Sequence, residues 1–258
     1  KSKRGKVAAV AGTVKVGNEV NILTKWQSIE YTIGQNFDRK AFAFMNVVTV
    51  VPGAIGAYNK NALIEVGGFT GDTLAEDCDL TIRILKAGYI VDNESLAIAY
   101  TEAPETVKQF MKQRFRWSFG VMQVFWKNKE LLFNTTHKSL GLIALPDILL
   151  FKYIIPVFTP LADLFMLIGL ATGNAEKIGV YYLAFVLVDA LTAGIAFAFA
   201  KEKAWKLFWL IPQRLIYRWL MLVVLFRSFR KALKGELQLW GVLKRTGNVG
   251  EPRGSNGA

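Results

Sequence analysis

Two long apolar stretches in the second half of this 258-residue chain constrain its fold more than any other feature. Residues 152–171 and 178–200 are nearly uncharged, and each has the roughly 20 residues that a helix needs to cross a bilayer. Residues 139–150 are also apolar but too short to cross, so we expect them to lie at the membrane interface. The sequence therefore predicts a soluble domain at 1–138, interfacial and membrane helices at 139–227 and a basic tail at 228–258.

Four charged residues interrupt the apolar stretches, and such residues are costly inside a membrane unless they have a function or a partner. They are Asp163, Asp189, Arg214 and Arg218. Two interpretations stay open: the four line a path for a polar polymer, or they form ion pairs that pack helices together. Because two arginines lie in the middle of 207–226, we expect that stretch to dip into the bilayer or lie along it, which leaves the basic tail on the cytoplasmic side. The alternative is a third full crossing, with both arginines turned to a polar channel and the tail outside.

Charge and composition limit the kinds of molecule that the protein is expected to bind. Lys and Arg number 32 against 20 Asp and Glu, which gives a net charge of +12, and the basic residues cluster at the edges of the apolar stretches. This pattern is typical of cytoplasmic loops that meet anionic lipid. We expect no nucleic-acid partner, because no basic stripe alternates with exposed aromatic residues in the soluble part. The single cysteine, Cys78, excludes an intrachain disulfide, and we interpret it as a packed core thiol.

The first 138 residues alternate predicted strands and helices, which indicates an α/β domain with a mainly parallel sheet. Val7–Val16 is predicted as a strand, and apolar residues at helical spacing predict a helix over 22–37 with Asn18 as its cap. Pro104 is expected in the first turn of a long helix that reaches about Leu132. The other predicted elements are strands at 47–51, 90–91 and 96–100 and helices at 61–66 and 72–87, the last ended by Gly88.

Two adjacent acids, Glu76 and Asp77, are the first candidates for chemistry. A carboxylate in the first turn of a helix at the edge of a sheet suits a general base, which transfer to a sugar hydroxyl requires. Acidic residues at a helix N-terminus also complement the helix dipole. Spacing alone favours the second interpretation and does not exclude the first.

Three residues of the next predicted helix, Gln113, Arg116 and Trp117, lie at positions i, i+3 and i+4, so their side chains project together. Arg can hold a diphosphate by paired hydrogen bonds, Gln can supply an amide donor, and Trp offers an apolar face to a sugar ring. The alternative is an amphipathic helix whose basic residues face lipid head groups, which is the role that we expect for Lys112 and Arg114. Spacing alone leaves both interpretations open.

The order of these motifs resembles that of the processive family-2 glycosyltransferases, which include the cellulose, chitin, hyaluronan and poly-N-acetylglucosamine synthases. The resemblance runs over nearly the whole chain, and its most specific part is the glutamine–arginine–tryptophan signature placed just before membrane segments. Within that family the chain is similar to the bacterial poly-β-1,6-N-acetylglucosamine and chitin-oligomer synthase type. The matching segments are Val16-Gly17-Asn18, Trp26-Gln27-Ser28-Ile29-Glu30-Tyr31, Pro52-Gly53-Ala54, Glu76-Asp77, Gln113-x-x-Arg116-Trp117 and Arg245-Thr246-Gly247.

The resemblance implies a role for each motif. Asp77 matches the family's general base, and Glu76 precedes it as in the family's Thr-Glu-Asp motif. Gln113 and Arg116 match contacts to the diphosphate of the donor, and Trp117 matches the platform under the acceptor sugar. The family lines its acceptor site with the segment that corresponds here to Pro52, Gly53 and Ala54.

The chain also departs from the family pattern. Ala75 stands where the family has threonine, so the hydroxyl of that motif is missing. The family's nucleotide-binding aspartate and its metal-binding Asp-x-Asp pair come earlier in the chain, and Asp72 and Asp79 do not replace them because they follow the acceptor segment. We therefore expect the C-terminal half of a longer protein, inactive on its own, whose Mg²⁺ or Mn²⁺ ligands lie upstream. We expect no metal site within residues 1–258 themselves.

The resemblance implies an α/β fold, the second half of a GT-A (Rossmann-like) domain, followed by transmembrane helices. It implies a multi-pass protein of the cell membrane with a cytoplasmic catalytic domain. The implied activity is inverting transfer from a UDP-sugar, UDP-N-acetylglucosamine first, to a growing polysaccharide that is exported. The implied partners are this donor, the polysaccharide acceptor and the bilayer, and a small membrane accessory subunit is a candidate. Two alternatives stay open: a non-catalytic membrane scaffold or transporter subunit, and a non-processive lipid-linked transferase of the same fold.

Overall fold

The central strand of the sheet is β1 (Val7–Val16), with the bounds that the sequence predicts. In the computed structural model, which describes residues 6–173 and 175–234, β1 lies between β2 (Gly56–Tyr58) and β3 (Ile90–Thr101). Strand β1 is parallel to β3 and antiparallel to β2, so the described sheet is mixed rather than mainly parallel. Strand β3 is continuous over the two short strands predicted at 90–91 and 96–100, and its register with β1 shifts beside Gly12.

The segment 47–51, predicted as a buried strand, is buried but forms no strand. The backbone N–H of Val51 donates to Thr81 Oγ1 at 3.0 Å, and that hydroxyl donates to the Asp77 carbonyl at 2.6 Å. Val47 and Val48 are at most 2% exposed. A β-branched run therefore indicates burial correctly, whereas strand formation also requires a neighbouring strand at the right place.

The helical run after β1 begins at Ile22, as predicted, but has a different cap and ends later than predicted. It consists of α1 (Ile22–Glu30), a π-helical segment (Tyr31–Phe37) and α2 (Asp38–Met45). Asn21 caps α1 instead of Asn18, because its side chain accepts a hydrogen bond from the Thr24 N–H at 3.0 Å. Asn18 is buried and bonds both backbone groups of Ala103, at 2.6 and 2.8 Å, which ties the end of β1 to the end of β3.

Three more helices complete the first part of the chain: α3 (Lys60–Glu65), α4 (Glu76–Lys86) and α5 (Val107–Lys127). Helix α4 begins at Glu76 rather than at residue 72. The Thr106 hydroxyl caps α5 by accepting from the Gln109 N–H at 3.3 Å, so Pro104 lies outside the helix. Gly88 follows α4 with φ of +84°, a left-handed conformation that glycine adopts without strain, and ends the helix as predicted.

Residues Leu140–Ala171 form one continuous helical run, so the stretch predicted to lie at the interface joins the first predicted span without a break. The run contains two π-helical segments (Leu140–Ala144 and Ile148–Ile154), the short α6 (Leu145–Asp147) between them, and α7 (Ile155–Ala171). Pro146 and Pro156 each come directly after the start of an α-helical piece that follows a π-helical segment, and Pro160 lies inside α7, yet the run stays helical through all three. Helix α8 (Ala175–Ala200), a 3₁₀ segment (Ala204–Trp209) and α9 (Leu210–Leu233) follow.

Within the described residues, two helical stretches are long and apolar enough to cross a membrane: Leu140–Gly169 and Ile178–Ala200. A third candidate, Ala204–Arg214 with Ile216–Leu233, is bent by 56° and counts as a crossing only if both pieces form one span. The Arg245-Thr246-Gly247 motif and most of the basic tail lie outside the described residues.

The main hydrophobic core joins both parts of the chain. Leu80 and Ile82 of α4 are fully buried in it together with Leu145 and Ile148 of the following helical run. Leu225 of α9 belongs to the same core. The core of the α/β domain therefore includes residues that follow position 138.

Ion pairs also hold the connection between α8 and α9 against the α/β domain. Lys15 at the end of β1 contacts Glu202 at 2.9 Å, and Lys206 contacts Glu19 at 2.6 Å. Lys206 and Glu202 are 3.1 Å apart, so the four side chains form one network. Helix α9 therefore starts beside α1.

The four charged residues of the apolar stretches are paired across helices. Arg218 Nη1 of α9 donates to both carboxylate oxygens of Asp163 on α7, each at 2.8 Å, and Tyr182 of α8 donates to the same carboxylate. Arg214 of α9 pairs with Asp189 of α8. These contacts favour helix packing, the second of the two interpretations of these charges.

Candidate active site

The first turn of α4 places the Asp77 carboxylate against the turn formed by Pro52, Gly53 and Ala54. The carboxylate accepts hydrogen bonds from the N–H of Cys78, at 2.8 Å, and from the N–H of Gly53. The turn is closed by the Ile55 N–H, which donates to the Pro52 carbonyl at 3.1 Å. Pro52 is buried, whereas Gly53 and Ala54 are exposed. The structure thus brings together two motifs that are more than twenty residues apart in sequence.

The surroundings of Asp77 favour proton acceptance. Burial raises the pKa of Asp77, while its backbone hydrogen bonds and the Arg116 charge act in the opposite direction and do not cancel the rise. Burial also raises the pKa of Glu76, with a smaller contribution from the Asp77 charge, and Arg116 again lowers it. A carboxylate that is partly removed from water and has a raised pKa is a stronger base than a fully exposed one.

Helix α5 carries the other predicted site residues. Gln113 is buried, and its Oε1 accepts no hydrogen bond within the described part of the chain. Arg116 is half-buried and lies close enough to Glu76 and Asp77 for its charge to lower the pKa of both carboxyl groups. Trp117 is half-buried and packs against Tyr31, with ring centroids 6.3 Å apart.

A close approach of α5 to the chain before α4 sets this geometry. A Cβ on Gly120 would lie 2.7 Å from the Ala75 N and 2.8 Å from its Cβ, so only glycine fits at this position without a shift. The side chain of Gln123, one turn later, accepts a hydrogen bond from the Leu74 N–H at 2.9 Å. The small Ala75, which departs from the family's threonine, faces this contact.

Two residues near Asp77 were not predicted from the sequence. Arg39 on α2 is buried and donates to the Gly12 carbonyl at 3.2 Å. Burial lowers the pKa of Arg39 to about 10, and the Asp77 charge opposes this effect. Burial raises the pKa of Tyr58, and the Asp77 charge adds to the rise. A single Arg and a single Tyr carry no sequence signal, because each is ordinary on a helix or strand surface.

The prediction that Arg114 faces lipid head groups is wrong. Arg114 is 1% exposed, and its Nη2 donates to Glu30 Oε2 at 2.5 Å. The carboxylate compensates the buried charge, so the residue faces the interior of the protein. Lys112 is exposed, and its contact with lipid stays a prediction.

The acidic residues around α4 do not fit a divalent metal. The Asp79 carboxylate is fully buried and accepts from Arg83 Nε and Lys127 Nζ, both at 2.8 Å. Asp72 pairs with the same lysine at 2.6 Å. The described ranges, 6–173 and 175–234, contain no group of three or more His, Cys, Asp or Glu placed to hold a metal ion. Cys78 is buried in the core, and burial raises the pKa of its thiol.

Comparison with solved structures finds the same fold. The mannosyltransferase PcManGT from Pyrobaculum calidifontis, solved in complex with GDP-Man and Mn²⁺, matches 90% of this chain and 55% of its own with a TM-score of 0.53. The sequence identity is 17%, so this similarity concerns the GT-A fold alone.

The curated proteins that are similar in sequence are of the type that the motifs resemble. The poly-beta-1,6-N-acetyl-D-glucosamine synthase of Staphylococcus aureus is 27% identical over 155 residues, which cover 59% of this chain and 38% of the relative. The enzyme of the same name from Staphylococcus epidermidis is 29% identical over 136 residues, which cover 50% of this chain and 33% of the relative. The match thus spans about a third of the length of these relatives. The model of glycosyl transferase family group 2 matches residues 2–226, from before β1 into α9, and the chain belongs to that family.

Proposed function

We propose that the chain is the acceptor-side part of a membrane-embedded, inverting glycosyltransferase that polymerises UDP-N-acetylglucosamine into an exported β-linked polysaccharide. Family membership and the similarity to poly-N-acetylglucosamine synthases support a polysaccharide-synthesising transferase. The donor, the processive reaction and the export belong to the proposal. The observation that carries it is the half-buried Asp77 carboxylate, which accepts from the Cys78 N–H at 2.8 Å, lies against the turn at Gly53 and is near the charge of Arg116.

In the proposed reaction Asp77 accepts the proton of the acceptor hydroxyl. The acceptor oxygen attacks the anomeric carbon of the donor and forms the new glycosidic bond, while the bond from that carbon to the diphosphate oxygen breaks. The leaving UDP takes the electron pair, and attack from the opposite face inverts the anomeric configuration. Arg116 stabilises the charge that develops on the diphosphate, because a guanidinium can form paired hydrogen bonds with phosphate oxygens.

The other site residues have complementary roles in this proposal. Gln113 offers a buried amide beside Arg116, and Trp117 offers an apolar ring face to the terminal sugar of the acceptor. Gly53 and Ala54 present exposed backbone at the turn that holds Asp77, which suits the lining of an acceptor site. Glu76 contributes negative charge next to the base and keeps Arg116 close to it.

The Mg²⁺ or Mn²⁺ that the resemblance implies has no fitting site among the described residues, so no step above depends on it. We propose the cell membrane as the location, with the α/β domain on the cytoplasmic side, where UDP-sugars are available. The two apolar helices, and the ion pairs that join each of them to α9, agree with a multi-pass arrangement.

Replacement of Asp77 by Asn tests the proposal in membranes that contain the full-length gene product. Asn keeps the shape and can still accept from the Gly53 N–H, so loss of the base alone should reduce incorporation of radiolabelled N-acetylglucosamine about 10²- to 10⁴-fold. Binding of UDP, measured by calorimetry, should change little. Asp72→Asn is the matched control, because Asp72 is exposed and its ion pair with Lys127 is worth at most about 1 kcal/mol.

Incorporation by Asp77→Asn at more than half the unmodified rate would exclude Asp77 as the base. If the unmodified protein incorporates none of the UDP-hexoses offered, the chain is better described as a scaffold or transporter subunit. Short lipid-linked products in place of polymer would indicate the non-processive alternative.

A further inference from the structure

A buried cluster joins the helix of the glutamine–arginine–tryptophan signature to α9. We call it the Arg114 cluster; its members are Glu30, Tyr31, Phe110, Arg114, Trp117 and Tyr217. Arg114 lies on α5 between Gln113 and Arg116, Glu30 is the last residue of α1, and Tyr217 comes from α9. The guanidinium donates to Glu30 and, at 3.2 Å, to the Tyr217 hydroxyl, and that hydroxyl also donates to Glu30.

Aromatic rings surround the rest of the guanidinium. Its Cζ lies 4.3 Å from the ring centroid of Trp117, 5.0 Å from that of Phe110 and 5.8 Å from that of Tyr31. Arg114 Nε and Nη1 meet no hydrogen-bond acceptor within the described residues, so ring faces take the place of acceptors on that side. The Trp117 indole is therefore held by a cation that itself cannot move without breaking its contact with Glu30.

The cluster is anchored on the membrane side as well. Gln213 Nε2 of α9 donates to the Trp26 carbonyl at 3.1 Å, and Trp26 Nε1 donates to the Trp209 carbonyl at 3.0 Å. The Tyr217 ring packs edge-on against Trp26, with centroids 6.3 Å apart. These contacts fix the first turns of α9 to α1, so a shift of α9 would carry the Tyr217 hydroxyl with it.

We propose that Arg114 is a positioning residue that holds the Trp117 indole in the orientation needed for the acceptor, and that Glu30 and Tyr217 couple this orientation to α9. The inference rests on the proposed function, because it takes Trp117 as the acceptor platform. It goes beyond it by giving the helix next to the membrane a role in acceptor use. A loosened Trp117 should release the growing chain early while donor binding through Arg116 continues.

Tyr217→Phe is the most sensitive test, because it removes one hydroxyl and keeps the ring that packs the core. Loss of a hydrogen bond to a carboxylate and a guanidinium should shorten the mean product about 3- to 10-fold, with the UDP dissociation constant changed less than about 2-fold. Tyr89→Phe is the matched control, since the Tyr89 hydroxyl also bonds a carboxylate, that of Glu65, but far from the site. Arg114→Lys, which keeps the charge and loses the flat stacking surface, should act in the same direction.

A double-mutant cycle separates positioning from general damage. In a Trp117→Ala background, Tyr217→Phe should have little further effect on product length, because the residue through which it acts is gone. Full additivity of the two changes would overturn the proposal. An equal weakening of UDP binding in Tyr217→Phe would also overturn it, since α5 as a whole would then have moved.

A readout that needs no activity distinguishes this proposal from the proposed function. With 5-fluorotryptophan in place of the seven tryptophans, the ¹⁹F resonance lost in Trp117→Phe identifies position 117. That resonance should shift in Tyr217→Phe and Arg114→Lys, while the exposed Trp126 resonance stays constant. An unchanged Trp117 resonance would overturn the positioning role even in an active enzyme. A shifted resonance in a protein without transferase activity would contradict only the proposed function.

Discussion

Gly120 and Ala75 lie so close that a methyl group on Gly120 would stand 2.8 Å from the Ala75 Cβ. This contact sets how near the helix with Arg116 comes to the helix that begins with Glu76 and Asp77. A glycine in an apolar helical stretch is usually a cost to the helix, and here it permits the approach of two site elements.

Gly120→Ala should therefore reduce transfer although alanine favours a helix. The added methyl must displace α5 or the 74–75 backbone, and overpacking of this kind costs about 1–3 kcal/mol. We expect a slower polymerisation rate and a lower melting temperature. Gly34→Ala is the control: the nearest atom to its added Cβ is 3.9 Å away, so that variant should keep its rate and melt no lower. Equal behaviour of the two variants would show that the Gly120 contact does not set the site.

Arg116→Ala and Trp117→Ala should separate donor binding from acceptor use. Loss of a charged hydrogen-bond donor to the diphosphate should weaken UDP binding about 10- to 100-fold. Trp117→Ala should leave UDP binding nearly unchanged and shorten the product. Calorimetric titration of both variants with UDP is the measurement, and a loss of UDP affinity in Trp117→Ala alone would mean that the two roles are exchanged.

As the pH decreases, the transfer rate should begin to fall at a higher pH than it would if the base were an ordinary, exposed aspartate. The base must be ionised to accept a proton, and burial raises the pKa of Asp77 above the value of about 3.9 for a free side chain. The neighbouring Asp72 cannot cause this fall, because its hydrogen bond with Lys127 lowers the pKa of Asp72 to about 2. Because the Arg116 charge lowers the pKa of Asp77, residual activity of Arg116→Gln should fall at a still higher pH. A rate that is constant down to pH 4 would contradict the assignment of Asp77.

The chain end that follows α9 should lie on the side of the α/β domain. The ion pairs of Lys15 with Glu202 and of Lys206 with Glu19 hold the start of α9 to that domain, and Leu225 near its other end lies in the domain core. A cysteine at Lys234 should therefore resist a membrane-impermeant maleimide in intact cells and react after lysis. Cys78 does not interfere, because it is buried. Labelling in intact cells would place this end outside and make the bent helix a full crossing.

Short sequence patterns correctly predict the elements of the fold that depend only on nearby residues. Strand β1 follows from a run of small and β-branched residues, the glycine that ends α4 follows from backbone freedom, and both are where the sequence predicts them. The segment 47–51 shows the limit, because burial is visible in a run of valines whereas the choice of Thr81 as the partner of Val51 depends on the packed structure.

The candidate site shows the same contrast between features set by nearby residues and features set by contacts between distant segments. The candidate base and the turn at Gly53 were expected together only through the family resemblance, and their hydrogen bond depends on contacts between distant segments. Arg114 was misjudged because an arginine at a helical position has no sequence mark that separates a lipid contact from a buried ion pair. Its partners, Glu30 and Tyr217, are 84 and 103 residues away along the chain.

The order in which the chain is synthesised limits when the shared core can form. Leu145, Ile148 and Leu225 are needed to close the apolar interior around α4, and the last of them leaves the ribosome only after the two long apolar helices. Each such side chain contributes about 1.5–3 kcal/mol when buried, a large part of the roughly 5–15 kcal/mol that holds a typical domain together. The α/β domain can therefore complete its fold only once both apolar helices have been synthesised. Under the proposed function, transfer activity would then begin only after both apolar helices have been made.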